Sequence, residues 1–267
     1  MKRFLTLPPN NARPRALTLE FAWYGPENVP ADAPTLVFLH EGLGCVALWR
    51  DFPQALCERL QCRGIAYSRF AYGESTPRPM DEPLPADYLE READVLPAVI
   101  DALGIERPWL IGHSDGGTIA LVAAANDPGC ARYAGIVIIA SHYRVEEVCL
   151  EGIERARVAY EQRGLRERLA KYHRDVDSTF YGWCNAWLDP ARRDWSIEPL
   201  LKNIACPTLA IQGELDEYAT LDQIETVQRH APQTKLVKID GCGHVPYLAQ
   251  RDAVIEAIAV FVQKHHK

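Results

Sequence analysis

The chain has 267 residues, of which 48% are hydrophobic and 24% are charged, and its formal net charge is −7. This composition is typical of a globular protein with one large core, and the acidic balance without a basic stripe excludes nucleic acid as the expected partner. The first nine residues lack an apolar run of signal-peptide length and no stretch approaches a membrane span, so we expect no membrane partner and a cytoplasmic location.

The first part of the chain alternates predicted strands and helices. Alternating apolar side chains over residues 16–24 predict an antiparallel edge strand, and an apolar run over 35–39 predicts a buried strand. A helix is predicted over about 49–62, followed by a strand over 65–70 and an amphipathic helix over 85–103. This rhythm is typical of an α/β fold.

The same alternation continues towards the C-terminus. A strand over 108–111 and a helix over 118–125 are followed by a strand over 135–140. Two further strands are predicted over 207–212 and 235–239. The whole pattern predicts a mostly parallel central sheet with helices on both of its faces.

The alternation stops between residues 141 and 203. This stretch is charged, helical in pattern and rich in aromatic side chains, namely Tyr143, Tyr160, Tyr172, Phe180, Tyr181, Trp183, Trp187 and Trp195. It begins after one predicted sheet strand and ends before the next. We therefore expect a core made of residues 1–140 and 204–267, with 141–203 as a helical insertion.

The eight cysteines are scattered, and none forms a C-x-x-C pair or a Cys/His spacing typical of zinc sites. They are interpreted as reduced, mostly packed thiols, which agrees with a cytoplasmic location. We expect no metal and no organic cofactor.

The residues most informative about function are 112–116, with the sequence GHSDG, between a predicted strand and a predicted helix. This is the G-x-S-x-G pattern of a nucleophile elbow, a tight turn that lifts a serine hydroxyl above the sheet. Gly112 and Gly116 suit such a turn because they have no Cβ atom. Ser114 is thus the candidate nucleophile.

A serine nucleophile needs a base, and the base needs an acid to orient it. Asp216 lies in the loop after the predicted strand over 207–212, and His244 lies in the loop after the strand over 235–239. The chain order serine, acid, histidine, with each residue after a strand, is the order that a nucleophile elbow of this kind requires. We predict that Ser114, Asp216 and His244 form a catalytic triad.

These motifs resemble those of the α/β-hydrolase superfamily. The resemblance is carried by residues 40–44 (HEGLG), 112–117 (GHSDGG), 213–216 (GELD) and 241–244 (GCGH), and it extends from about Leu17 to the C-terminus. Within the superfamily the chain is most similar to small capped hydrolases, which include enol-lactone hydrolases, carboxylesterases and the valacyclovir-hydrolase-like group.

The resemblance implies the α/β-hydrolase fold with a helical cap formed by residues 141–203 over the active site. It also implies hydrolysis of a small-molecule carboxylic ester or lactone through an acyl-enzyme on Ser114. One oxyanion-hole N–H then comes from Asp115 and the other from the loop over 40–44. The chain departs from the family pattern at Glu41, where glycine is common. Leu43 is the first choice for the loop donor and Gly42 the second.

Four residues are candidates for contact with substrate: Glu41, His142, Trp183 and Trp187. The carboxylates of Glu41 and Asp115 have two interpretations. Each accepts local hydrogen bonds or pairs with an arginine, or one of them binds a cationic or hydrogen-bond-donating group of the substrate. The sequence leaves this choice open.

Two other functions remain as alternatives. One is C–C bond hydrolysis of aromatic ring-fission products, although those relatives tend to carry Gly-Pro-Gly where this chain has residues 42–44 (GLG), and an aromatic residue where Val245 follows His244. The other is a non-catalytic ligand-binding member of the fold. The sequence also leaves a homodimer open.

Overall fold

One eight-stranded sheet forms the centre of the protein in a computed structural model that describes residues 3–10 and 14–266. The strand order is β1-β2-β4-β3-β5-β6-β7-β8. The first two pairings, β1 with β2 and β2 with β4, are antiparallel and all others are parallel. The strands are β1 (Arg3–Leu7), β2 (Leu17–Tyr24), β3 (Thr35–Leu39), β4 (Arg63–Tyr67), β5 (Trp109–His113), β6 (Gly135–Ile139), β7 (Thr208–Gly213) and β8 (Lys235–Ile239).

Helices cover both faces of this sheet, as the sequence predicts. The α-helices of the described residues are α1 (Phe52–Leu60), α2 (Tyr88–Ala102), α3 (Asp115–Ala125), α4 (Glu147–Gln162), α5 (Leu165–Leu169), α6 (Val176–Leu188), α7 (Glu198–Leu201), α8 (Asp222–His230), α9 (Pro246–Ala249) and α10 (Arg251–His265). Side chains of β3 alternate between two cores. Leu36 and Phe38 pack with α1 and α10 on one face, whereas Val37 and Leu39 pack with α2, α3 and α8 on the other.

The prediction that residues 16–24 form an edge strand is wrong in one respect. The strand β2 is antiparallel to its neighbours, but β1 pairs along its outer side, with Leu5 opposite Leu19, so β1 is the edge. The predicted strand over 65–70 also ends earlier, at Tyr67. Ser68 N–H still donates to Glu20 O of β2 at 2.8 Å, but Arg69 N–H donates to the ring of His40 at 3.0 Å and no longer to a strand.

The segment between β6 and β7 carries four helices, α4 to α7. Aromatic side chains pack these helices together, and the rings of Tyr160 and Phe180 stack with centroids 3.7 Å apart. Hydrogen bonds attach α6 to the loops after β4, since Thr179 Oγ1 donates to Ala71 O at 2.5 Å. Within the described residues, no helix is long and apolar enough to cross a membrane.

Candidate active site

Ser114 sits in a strained turn between β5 and α3. Its backbone has φ +52° and ψ −118°, a conformation that L-residues adopt only when the surrounding structure holds it. A Cβ added to Gly116 would lie 1.9 Å from Leu39 O, and one added to Gly112 would lie 2.2 Å from Gly116 O. Both positions therefore require glycine, which agrees with the predicted elbow.

The structure brings the three predicted triad residues together. His244 Nε2 lies 3.1 Å from Ser114 Oγ, and His244 Nδ1 lies 2.9 Å and 3.0 Å from the two carboxylate oxygens of Asp216. Asp216 Oδ1 also accepts the N–H groups of Tyr218, at 2.9 Å, and Ala219, at 3.2 Å. The loops after β7 and β8 thus place an acid and an imidazole in line with the serine.

The ionisation of Asp216 determines the tautomer of His244. Burial alone would raise the pKa of the Asp216 carboxyl, but the hydrogen bond with the His244 ring outweighs burial and holds this pKa below its usual value. A carboxylate can only accept hydrogen bonds, so Nδ1 of His244 carries the proton. The Nε2 atom is then free to accept the Ser114 hydroxyl proton.

The loop after β3 forms a tight turn beside Ser114. Gly44 N–H donates to Glu41 O at 3.0 Å and closes the turn, which we call the oxyanion turn (residues 41–44). Among the described residues, the N–H groups of Gly42 and Leu43 have no acceptor. The same is true of Asp115 N–H at the N-terminus of α3, so the predicted oxyanion donors all remain available.

The candidate substrate-contact residues line one cavity of about 260 Å³ that contains Ser114 and His244. Glu41, His142, Trp183 and Trp187 all contribute to its wall. Trp183 also packs directly on the oxyanion turn, where a Cβ on Gly42 would lie 2.0 Å from its Nε1 atom. The sequence did not indicate several further lining residues, among them Cys149, Ile153, Glu217 and Tyr218. Cys149 and Ile153 share one face of α4, and their i, i+4 spacing was the available signal.

The Asp115 carboxylate is fully engaged inside the protein. It is 1% exposed and accepts hydrogen bonds from Tyr88 Oη at 2.7 Å and Trp187 Nε1 at 3.2 Å. A guanidinium nitrogen of Arg69 lies 3.6 Å from Oδ2, the same oxygen that accepts from Tyr88. Of the two interpretations of Asp115 that the sequence leaves open, this geometry favours pairing with an arginine.

Glu41 differs from Asp115 because its side chain is 25% exposed towards the cavity. Its nearest basic atom is His113 Nδ1 at 3.7 Å, which is too long for a hydrogen bond but close enough for an electrostatic interaction. Burial would raise the pKa of Glu41, yet the His113 ring outweighs burial and lowers the pKa to about 2. Glu41 is therefore a carboxylate at neutral pH.

Three buried imidazoles around the site are held neutral. Burial lowers the pKa of His142 to about 3, and it lowers the pKa values of His40 and His173 as well. His142 Nδ1 has no hydrogen-bond partner among the described residues, although its ring lies beside the rings of His244 and Trp187. His142 can therefore contact a substrate as a neutral imidazole.

Two residues that the sequence did not indicate hold the oxyanion turn. Arg69 Nη2 donates to Glu41 O at 3.0 Å, and His173 Nε2 donates to Leu43 O at 3.0 Å. The tautomer of His173 is fixed because its Nδ1 accepts Gly73 N–H at 3.0 Å. A charged residue at the end of a buried strand was the only sequence signal for Arg69.

A mostly parallel sheet with helices on both faces, and with a serine, an acid and a histidine at the carboxyl ends of its strands, is the architecture of α/β hydrolases. Residues 36–257 match the family model described as the alpha/beta hydrolase family. The chain belongs to this family.

Individual relatives support the same assignment. The human serine hydrolase BPHL is 31% identical over 182 residues, which cover 64% of this chain and 60% of the human protein. The 3-oxoadipate enol-lactonase 1 of Acinetobacter baylyi is 25% identical over 267 residues, with 92% of this chain and 93% of that protein covered. The crystal structure of a proline iminopeptidase from Mycobacterium smegmatis shares the fold with a TM-score of 0.78, at 21% identity over 99% of each chain.

The turn geometry predicts that Gly116→Ala is far more destabilising than Gly104→Ala. A Cβ at Gly116 would collide with a backbone oxygen of β3. A Cβ at Gly104 would meet no atom within 4 Å, and the cost there comes only from the left-handed backbone, with φ +63°. We expect a loss of ~1 kcal/mol in the free energy of unfolding for Gly104→Ala and of about 3 kcal/mol or more for Gly116→Ala. Urea denaturation of both variants measures this difference, and equal losses would contradict the close approach of α3 to β3.

The buried histidines predict that the protein loses stability below pH ~6.5. In the unfolded chain they take up protons in this range, but in the folded protein His40, His142 and His173 stay neutral because burial lowers their pKa values. The unfolded state therefore binds more protons, and stability falls as the pH is lowered. Glu92, whose pKa burial raises to about 7, has the opposite sign and offsets one histidine.

The variant His142→Gln removes one of these three buried histidines. Between pH ~6.5 and ~5 its free energy of unfolding should fall less steeply than that of the wild type, by about 1.4 kcal/mol per pH unit. Urea denaturation at several pH values measures both slopes. Parallel slopes would mean that His142 is protonated in the folded protein.

Proposed function

We propose that the protein is a serine hydrolase that cleaves a small-molecule carboxylic ester or lactone through an acyl-enzyme on Ser114. The observation that carries this proposal is the hydrogen-bonded chain from Ser114 Oγ through His244 to the Asp216 carboxylate, with separations of 3.1 Å and 2.9 Å. Ser114 and His244 line a cavity whose wall also includes Gly42, Leu43 and Asp115, and the N–H groups of these three residues have no acceptor among the described residues. We extend the proposal to a cytoplasmic enzyme that needs neither metal nor cofactor.

In the first step of this mechanism, His244 Nε2 takes the hydroxyl proton of Ser114 while Oγ attacks the carbonyl carbon of the substrate. The carbonyl oxygen gains negative charge and accepts hydrogen bonds from Asp115 N–H and from an N–H of the oxyanion turn, either Leu43 or Gly42. Asp216 stabilises the imidazolium of His244. The imidazolium then gives its proton to the leaving alkoxide, which departs as an alcohol.

In the second step, water hydrolyses the acyl-enzyme. His244 removes a proton from the water, whose oxygen attacks the acyl carbon, and the same N–H groups hold the oxyanion again. The serine leaves and recovers its proton from His244, and the acyl group departs as a carboxylic acid. A lactone gives one product because its alcohol and acid remain in the same molecule.

We further propose that residues 141–203 act as a cap over residues 1–140 and 204–267. This is supported by the cavity wall, to which α4 contributes Cys149 and Ile153 and α6 contributes Trp183 and Trp187. Apolar side chains from these helices exclude water from the acyl-enzyme and restrict the substrate that can enter. The relatives described as a serine hydrolase and an enol-lactonase support ester or lactone chemistry.

Two variants test the triad. Ser114→Ala should abolish ester hydrolysis and labelling by a fluorophosphonate probe, because it removes only the nucleophilic oxygen. Asp216→Asn should lower kcat by up to ~10⁴-fold, because an amide at this position favours the wrong tautomer of His244. Circular dichroism and thermal unfolding should show that both variants fold.

The neighbouring acid Glu217 supplies a control for the second variant. Its carboxylate accepts the backbone N–H of His244 at 3.0 Å and does not bond the ring, so Asp216→Asn combined with Glu217→Gln should be no more than a few-fold slower than Asp216→Asn alone. Near-normal activity of Asp216→Asn would show that another group orients His244. Ester hydrolysis by pure Ser114→Ala within tenfold of the wild type would refute the proposed function.

The size of the cavity predicts a preference for short acyl groups. At about 260 Å³ it lies below the ~300–1,000 Å³ that is common for drug-sized ligands, and two tryptophans line it. In a series of p-nitrophenyl esters, kcat/KM should be highest for acetate to butyrate and fall by at least about tenfold by octanoate. The variant Ile153→Ala should shift the optimum to longer chains. A wild-type optimum at octanoate or beyond would contradict this assignment of the acyl site.

A further inference from the structure

The two sides of the proposed oxyanion hole come from separate elements of the fold. The oxyanion turn follows β3, whereas Asp115 begins α3 after β5. Two N–H groups can stabilise one oxygen only if both point to the same place within a few tenths of an ångström. Some contact must therefore fix the turn relative to the start of α3.

The side chain of Arg69 bridges these two elements. It lies just beyond the end of β4, is 1% exposed, and donates from Nη2 to Glu41 O at 3.0 Å. The same nitrogen lies 3.6 Å from Asp115 Oδ2 and 3.5 Å from His40 O. The guanidinium carbon lies 4.6 Å from the centre of the Tyr72 ring, which supports its other face.

The contact at Glu41 O determines the direction of an N–H group. Glu41 O accepts three hydrogen bonds, from Arg69 Nη2, from His40 Nδ1 at 2.7 Å and from Gly44 N–H at 3.0 Å. In a trans peptide the C=O and the following N–H point in opposite directions. Fixing Glu41 O towards Arg69 therefore directs Gly42 N–H away from Arg69, and the Gly44 bond fixes the rest of the turn.

The contact with Asp115 places a negative charge beside the positive charge of Arg69. Burial would lower the pKa of the Arg69 guanidinium, but Tyr72 and Asp115 raise it above its ordinary value, so the group stays charged. A buried charge without a partner is strongly destabilising, and Asp115 is the nearest carboxylate to Arg69. The residue that supplies one oxyanion N–H from its backbone thus holds Arg69 with its side chain.

We propose that Arg69 is a positioning residue that holds the oxyanion turn and the start of α3 in register, so that the N–H groups of the two elements converge on one oxygen. This inference rests on the proposed function, because it assigns the hole that ester hydrolysis uses. It also assigns the Asp115 carboxylate to Arg69 and not to a cationic substrate group.

The central variant is Arg69→Met, which keeps the apolar stem and removes the guanidinium. We expect kcat to fall by ~100-fold, comparable to the loss of one oxyanion donor, while KM changes by no more than ~threefold. The variant should also unfold more easily, because the Asp115 carboxylate is left buried without its cation.

The double variant Arg69→Met with Asp115→Asn separates positioning from charge balance. It removes both charges, so thermal stability should recover towards that of the wild type, whereas kcat should stay at least ~30-fold low because Glu41 O has still lost its donor. Recovery of kcat together with stability would overturn the proposal. Arg69→Lys keeps the charge without the forked donor and should fold with kcat at least ~tenfold low, which covers the case that Arg69→Met does not fold.

Arg78→Met is the matched control. Arg78 is another buried arginine that donates to backbone carbonyls, those of Pro79, Glu82 and Ser178, but it does not touch the oxyanion turn. This variant should lose stability and keep kcat within ~threefold of the wild type. An equal loss of kcat in Arg78→Met and Arg69→Met would show that both act only through folding.

The rate of labelling by a fluorophosphonate distinguishes failure of this inference from failure of the proposed function. Labelling forms a bond from Ser114 Oγ to phosphorus, expels fluoride and needs the oxyanion hole, but it needs no particular ester. A wild type that is labelled at Ser114 but hydrolyses no ester or lactone refutes the proposed substrate class, and slow labelling of Arg69→Met would still support the inference. Equal labelling rates for the wild type and Arg69→Met would overturn the inference alone.

Discussion

The site depends on one steric constraint, the turn at Ser114, which has no room for a Cβ at Gly112 or at Gly116. Gly116 lies so close to the end of β3 that a single methyl group would collide with Leu39 O. This approach fixes α3 against β3, and Leu39 pairs with Gly112 in the sheet. As a result Ser114 lies next to the turn over residues 41–44, and the other residues of the site extend towards this point.

The parallel sheet brings those groups there. The carboxyl ends of parallel strands meet at one edge, and the residues that follow five adjacent strands gather at it: Arg69 after β4, the oxyanion turn after β3, Ser114 after β5, His142 after β6 and Asp216 after β7. His244 follows β8 and reaches back across Asp216. Two buried charged side chains also lie at this edge, and the positive charge of Arg69 and the negative charge of Asp115 balance each other beneath the cavity.

Much of this arrangement could be predicted from the sequence because its causes are local. Apolar runs identify the parallel strands, and polar or glycine-rich residues directly after them identify Ser114, Asp216 and His244. The partner of Asp115 could not be predicted, since its contact with Arg69 depends on how a turn after β4 packs against α3. The edge strand β1 was missed because only Leu7 of its five residues is buried, and its pairing with Leu17, Leu19 and Phe21 of β2 is visible only in the structure.

The central claim is that the substrate's acyl group is transferred to Ser114. The most direct measurement is rapid acid quenching of the enzyme during turnover of p-nitrophenyl acetate, followed by mass spectrometry of its peptides. The account predicts an acetyl group on Ser114 at an occupancy that rises in the pre-steady state, and its absence in Ser114→Ala. Turnover without any acylated Ser114, or with the acetyl group on another side chain, would contradict it.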